Sequence, residues 1–354
     1  MKTYCRGLSI GRPEVERAYE AWLAAPAGRK NAFRVAREHG GADRLIDELA
    51  GEIRGRSIRL KPINRHEQIE PTNGKVRLIG VLSVKQQLLD YVIVTCAATL
   101  LKAKVGYYQV SGVPGKGGRF AVEAVERWVR DGSCSCFVKS DIRKCYPSTD
   151  PTIILDLYRR YIGSADLMYC IETALSTYDT GGMEIGSYLS QRSMAFALSF
   201  AYHHVEGLHR ERRGRLLPMV EHQVWQADDM VLFSRSKRDA RVAMRSLEEY
   251  LSDELGLALK PWKVCRIGED EPVDICGAVI RPSHTEVRSG TFLRGRRAMR
   301  GYDRKPTLDR ARRVCSYYGI FSRADCEGFM RKEDGHAIAR RAAQDVSRHD
   351  RGIP

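Results

Sequence analysis

In the stretch HQVWQADDMVLFSR, residues 222–235, two adjacent carboxylates, Asp228 and Asp229, stand between two short apolar runs. Val224 and Trp225 before them and Met230 to Phe233 after them read as two strands, so the pair lies at the tip of a β-hairpin. Asp is a common turn residue because its short side chain bonds its own backbone, and taken alone the pair would mean no more than a turn. A further carboxylate from a neighbouring strand changes the reading. Acids converging at one sheet end can hold two divalent metals roughly 3.5–4 Å apart, the arrangement that serves phosphoryl transfer. CFVKSDIRKCYPS, residues 136–148, supplies that strand: Phe137 and Val138 lead into Asp141, and Pro147 with Ser148 closes the segment before the helix PTIILDLYRRY.

The elements that must position these acids can be followed along the chain. Residues 13 to 55 read as helices, with Pro13 near a start and Val15, Ala18, Trp22 and Leu23 at helical spacing, and with GADRLIDELAGEIRGR repeating the pattern after a Gly-Gly break. A turn at Asn73-Gly74 leads into a β-rich run and then an amphipathic helix beginning near Ser83. Strands and helices alternate to about residue 282. Beyond them, TFLRGRRAMRGYDRKPTLDRARR carries nine basic residues from Arg294 to Arg313, dense enough to track phosphates. The last stretch, from Ile338, reads as a helix fraying into a tail.

Composition bounds the function class. The chain has 354 residues with 43% hydrophobic content, enough for a sizeable core and unlike a disordered chain. Its 59 Lys and Arg against 44 Asp and Glu leave +15, which points to a polyanionic partner, nucleic acid before a membrane surface. The ten cysteines form no CxxC pair and no zinc spacing, so they are expected as reduced, core-filling thiols. The start has no long apolar run, and no segment approaches 18 uninterrupted apolar residues; a cytoplasmic protein without membrane contact is expected.

The motifs, taken in order, resemble the reverse transcriptase family over roughly residues 65 to 285. SDIRKCYPS resembles its first catalytic motif, QADD its YxDD box, and EIGSYLSQ (184–191) the segment between them. GKVRLIGVLSVKQQLLDYVI is similar to the fingers motif, GLALKPWKV (256–264) to the lysine-bearing loop after the catalytic hairpin, and VDICGAVI (273–280) to the primer grip. The resemblance implies an α+β fold, a right-hand polymerase with fingers, a ferredoxin-like palm and a helical thumb. The expected division is a helical extension over 1–60, fingers and palm over 61–284, and a basic helical thumb with tail over 285–354.

The resemblance also implies roles. Asp141 and Asp228 would bridge two Mg²⁺ ions, with Mn²⁺ as a substitute, and Asp229 would be a weaker outer ligand because alternate strand residues face opposite ways. Lys263 would be the general acid for the leaving pyrophosphate. Lys75 and Arg77 would lie over the triphosphate, Tyr146 under the sugar as a ring that excludes a 2′-hydroxyl, and Gly186 and Gln191 beside the nucleotide. Gly186 would let backbone approach nucleotide or template without a Cβ. Lys116, in a VPGKGG segment that is not a P-loop, together with Gln226, Gly277, Arg294 and Arg297, would contact primer or template. The expected partners are an RNA template, a DNA or RNA primer and dNTPs, with a structured noncoding RNA or a small accessory protein as further candidates. His203 and His204 are expected to pack rather than ligate.

The chain departs from the family pattern at Gln226, where the box has tyrosine, and at Ile185-Gly186 and Ser190-Gln191 in the middle motif. The last resembles the variant in diversity-generating retroelements; prophage-type and defence-associated enzymes are the neighbouring alternative, making DNA that is template-independent or protein-primed. The alternative of another class is a catalytically idle RNA-binding scaffold, against which three intact acids count, since clustered carboxylates repel nucleic acid.

Overall fold

A computed structural model describes residues 2–25, 28–69 and 74–350. Helices α1 (Arg12–Leu23), α2 (Gly28–His39) and α3 (Ala42–Arg54) open the chain, followed by strands β1 (Asn64–Ile69) and β2 (Val76–Val81), which pair as an antiparallel ribbon. Of the turn expected at Asn73-Gly74, Asn73 lies outside the described residues; Gly74 has φ +69°. Next come α4 (Val84–Cys96), α5 (Ala98–Lys104) and α6 (Gly118–Arg130). The Ser83 hydroxyl accepts from the Gln86 amide and caps α4, as the sequence suggested.

The central body runs through β3 (Cys136–Asp141), α7 (Cys145–Ser148), α8 (Pro151–Tyr161), α9 (Ala165–Leu175) and α10 (Tyr188–Glu206). After the small hairpin β4 (His209–Arg212) and β5 (Arg215–Pro218) come β6 (His222–Gln226), β7 (Asp229–Ser234), α11 (Lys237–Leu255) and β8 (Val264–Arg266). Strands β6-β7-β3-β8 form one antiparallel sheet in that order. Helices separate β3 from β6 and β7 from β8, which is the β-α-β-β-α-β connectivity. Both faces of the sheet are covered. Cys136, Val138, Met230 and Leu232 join the core beneath α10 and α11, whereas Phe137, Val224, Val231 and Phe233 pack with Val125 and Trp128 of α6. Double burial explains why β3 reads as a nearly continuous apolar run up to its polar end.

Strands β9 (Val273–Ile275), β10 (Ala278–Ile280) and β11 (Thr285–Val287) form a three-stranded antiparallel sheet. Helices α12 (Ser289–Arg304), α13 (Leu308–Phe321), α14 (Glu327–Lys332) and α15 (Gly335–Asp350) close the described chain around a core of their own, with Met299, Tyr302, Val314, Phe321 and Met330. The tail after residue 350 lies outside the described residues.

Packing bears on the expected divisions. The helical extension over 1–60 is packed into the body: Val15, Trp22, Leu45 and Leu49 share one core with Leu88 and Val92 of α4 and Ile171 of α9. A break at 284/285 falls between β10 and β11, because β11 completes the small sheet before the helices begin. Among the described residues the ten cysteines are all free, most of them buried, and no helix is long and apolar enough to cross a membrane.

Candidate active site

The sheet brings the three acids to one end. β3 pairs with β7 in a register that sets Asp141 directly opposite Asp229, and the β6–β7 turn is closed by Gln226 opposite Asp229, leaving Ala227 and Asp228 as its two loop residues. Ala227 has φ +57°, a left-handed conformation that in an L-residue with a Cβ costs roughly 1–3 kcal/mol. The hairpin is anchored on both sides: the Ile142 amide donates to the Asp228 carbonyl at 3.1 Å, and Trp225 exchanges backbone bonds with Tyr108 and Val110.

Like charges opposite one another destabilise a sheet, and the surroundings compensate unequally. The Lys260 ammonium lies 2.6 Å from Asp141 Oδ1, and Lys139 lies 3.8 Å from Asp229 while donating to the Asp274 carbonyl at 2.6 Å. Arg288 in turn grips the Asp274 carboxylate. Asp228 feels Arg77 only as a lesser electrostatic influence. Burial first, and then the charge of Asp141, push its proton affinity above the ordinary carboxylate value; burial raises Asp229 as well, with Lys139 opposing. Among the described residues no three His, Cys, Asp or Glu side chains converge closely enough to hold a metal ion. The expected three-carboxylate set is therefore not gathered on one point, because Asp141 is turned onto Lys260 and Asp229 toward Lys139.

Two clefts meet at this sheet end. The first, about 460 Å³, is lined by Lys75 and Arg77 of the β1–β2 ribbon, by Asp141, Lys144, Tyr146 and Asp228, and by Lys260. The second, about 510 Å³, has Lys139, Asp141, Asp229, Lys260, Trp262, Lys263 and Asp274 in its wall. Asp229 thus faces the second cleft and Asp228 the first, with Asp141 common to both. The two hairpin acids line different clefts, and it is Asp229 that lies opposite Asp141 in the ladder.

The other expected residues divide. Lys75, Arg77 and Tyr146 join Asp141 and Asp228 around the first cleft. Tyr146 is half-buried and burial raises its phenol; its ring also walls a small cavity of about 20 Å³ with Gln191, Met194 and Ala195. Gln191, exposed on α10, reaches that rear cavity and does not line the first cleft. Gly186 serves another purpose than expected. Its φ is +110°, and a Cβ there would come within 2.5 Å of the Gly80 carbonyl, so the missing side chain admits strand β2, whose Gly80 amide donates to the Ile185 carbonyl at 2.7 Å. Lys116 packs its ammonium 3.9 Å from the Tyr107 ring centroid, beside Phe120, and donates to the Tyr107 carbonyl, which commits it to the protein. Lys263 pairs with Glu271, two-thirds exposed, and does not line the first cleft.

Cys276 and Gly277 form the β9–β10 turn with φ of +49° and +83°, the geometry of a type I′ hairpin, and burial first, then the Asp229 charge, push the Cys276 thiol up. Gln226 keeps a buried side-chain oxygen without a hydrogen-bond partner among the described residues. Arg294 and Arg297 line a groove between α12 and α13 together with Arg310, Arg313 and Tyr317. His204 stacks on Tyr250 and bonds Ser246, a packing role as expected.

Sequence reasoning passed over Lys260, Lys139 and Asp90. Lys260 stands three residues before Lys263 in the same motif and carried no separate signal. Lys139 precedes Asp141 by two on the same strand face, and that spacing could have flagged it.

No family model matches the chain, and no curated protein matches it. A solved structure, the BmCPV RNA-dependent RNA polymerase at its elongation state, aligns with a TM-score of 0.48 and 10% identity, covering 80% of this chain and 26% of that one. The chain thus spans about a quarter of that protein's length.

Proposed function

We propose that the chain is an RNA-directed DNA polymerase, a right-hand enzyme whose β6-β7-β3-β8 sheet is the palm, the β1–β2 ribbon part of the fingers and α12–α15 the thumb. The observation that carries this reading is the meeting of Asp141 and Asp228 at one end of that sheet, in a cleft that Lys75 and Arg77 also line. Acids and cations lining one cleft match a triphosphate held between metal and basic side chains.

The residues fit a hard divalent cation. Asp141 and Asp228 offer oxygen donors only, and Asp228 is a half-buried acid whose proton affinity is raised first by loss of water and then by the charge of Asp141. Mg²⁺, when bound, would lower the pKa of a primer 3′-hydroxyl and neutralise charge on the phosphoryl group. Asp141 and Asp228 would hold it. Lys75 and Arg77 orient the triphosphate. Tyr146, in the lining of the same cleft, presents its ring to the sugar and selects against a 2′-hydroxyl by bulk. The arginine groove of α12 and α13 follows phosphates, so affinity for primer–template falls steeply with salt, and Arg297→Gln reduces the salt slope by about one. The motif likeness favours a bacterial or phage retroelement of the diversity-generating kind.

The test is incorporation of labelled dNTPs by purified protein with Mg²⁺ on a primed RNA template, beside Asp228→Ala, with rNTPs in parallel and the products sequenced. Templated DNA that vanishes in the variant supports the reading. Untemplated or protein-linked DNA points to the defence-type alternative, rNTP incorporation to an RNA polymerase, and no product on any template to a scaffold.

A further inference from the structure

We infer that Lys260 is a displaceable internal counter-cation, whose ammonium holds the place on Asp141 that a divalent cation takes and leaves it when that cation binds. The inference rests on the metal-binding part of the proposed function, and its first test uses neither nucleotide nor nucleic acid.

The backbone fixes where Lys260 stands. Its amide donates to the Asp141 carbonyl at 2.8 Å, its carbonyl accepts from the Ser140 hydroxyl at 3.2 Å, Arg143 donates to Ala258 at 2.8 Å, and Ile142 bridges Leu259. Residues 258–260 thus run as a short antiparallel addition along 140–143, locking the base of the lysine to the strand end that carries the acid. The side chain itself is not locked. It is 48% exposed, and among the described residues its one ion-pair partner is Asp141, at 2.6 Å from Oδ1.

Its neighbours show that the position is particular to this lysine. Lys139 is held by the Asp274 carbonyl and Lys263 by Glu271, so each has its own partner away from Asp141. Lys260 alone of the three lines both clefts, standing on the saddle between them beside the acid that they share. A divalent cation on Asp141 would meet an ammonium already in contact with the same carboxylate, and two cations at that separation repel. The flexible four-carbon stem allows departure, and Lys75 and Arg77 mark the first cleft as a place where anionic phosphates would receive it. Metal affinity is thereby lowered in the free protein and restored once a triphosphate draws the ammonium away.

The experiment is a Mn²⁺ titration of the full chain followed by the free-ion electron paramagnetic resonance signal, without nucleotide. Wild type is compared with Lys260→Met, Lys260→Gln and Lys263→Met, with thermal melts to verify folding. Lys260→Met and Lys260→Gln tighten Mn²⁺ binding about fivefold, Lys263→Met leaves it unchanged, and adding Asp228→Asn to Lys260→Met abolishes the gain. Equal or weaker binding in both folded Lys260 variants overturns the inference, as does an equal gain in Lys263→Met. Tight binding that responds to Lys260 in a protein with no polymerase activity would retain the inference and sink the polymerase reading, so the two fail separately.

Discussion

Asp228, half-buried, and Asp90, buried, are both acids whose proton affinity is raised first by loss of water, yet their surroundings are opposite in kind. Asp90, on α4, is 1% exposed and bonds outward to a different segment: its Oδ2 accepts from the Ser187 hydroxyl at 2.7 Å and from the Leu189 amide at 3.2 Å. Tyr178 bonds Ser187 and Ser190 beside it, while Arg65 pairs with Glu184 three residues upstream. The loop 184–190 is thereby tied from several directions, and the start of α10 with it. Asp228 lies instead in a strained turn, near two other acids and open to a cleft. Polar groups at Asp90 are mostly satisfied by the protein, and the charge at the hairpin is left for something outside it. The first arrangement holds a loop; the second waits for a ligand.

The sharpest separation comes from Asp228→Asn. Nucleotide incorporation drops by about 10⁴-fold or more, equivalent to about 5.5 kcal/mol of barrier, while the urea midpoint stays level or rises because one of three clustered negative charges is gone. Single-turnover rates and urea unfolding on the same preparation check both halves. A parallel loss of stability would make Asp228 a structural acid like Asp90 and collapse the contrast.

Asp90→Asn reads the other centre. Burial pushes Asp90 up to about 7, so the folded state holds its proton more tightly than the unfolded chain does. Stability through this group is therefore highest below about pH 4 and declines as pH rises toward 7, by roughly 4 kcal/mol in all. Asparagine keeps the acceptor for Ser187 and Leu189. It also puts an amino group where Oδ1 lacks a partner, one helical turn from the likewise unpartnered Gln86 Oε1. The variant is expected to match wild type at pH 4 and exceed it at pH 8, as urea unfolding at the two values would measure. A variant weaker at both would mean that the loop needs the charge itself.

Gly186→Ala tests the close approach that the tied loop permits. A Cβ 2.5 Å from the Gly80 carbonyl, at φ +110°, forces β2 and the loop apart and costs about 2–3 kcal/mol. Urea unfolding gives the cost, and the KM for dNTP should rise with it because Lys75 and Arg77 ride on the same ribbon. A change in KM without any loss of stability would return Gly186 to the nucleotide-contact role expected from its motif.

How much of this was legible in the sequence follows from where the information lies. The strand into Asp141, the hairpin at Asp228, the capped helix after Ser83 and the separate basic helices all show in local patterns of apolar, acidic and turn residues. What failed to show depends on contacts distant in sequence. Gly186 faces Gly80, 106 positions away in sequence, and a glycine looks the same beside a nucleotide as beside a carbonyl. Lys260 and Lys263 are indistinguishable by type, and only the backbone pairing of 258–260 with 140–143 selects the first. Asp90 was passed over, because its partners Ser187 and Leu189 belong to a helix start nearly a hundred residues on.

Ala227→Gly makes the smallest change and probes the turn that Asp228 shares. The left-handed φ of +57° suits glycine, so substitution removes roughly 1–2 kcal/mol of strain from the folded state, against about 0.5–1 kcal/mol from the freer unfolded chain. A net gain of about 0.5–1 kcal/mol in urea unfolding is expected. The same freedom loosens Asp228, and the rate of incorporation should fall about threefold, since catalysis depends on a fixed geometry of the reacting groups. Stability would then rise and activity fall at both loop residues of the hairpin, the opposite of Gly186, where both are lost together. A more stable and equally active Ala227→Gly would instead show that the strain at the tip has no part in aiming the acid, and that the anchoring bond from Ile142 to the Asp228 carbonyl is sufficient.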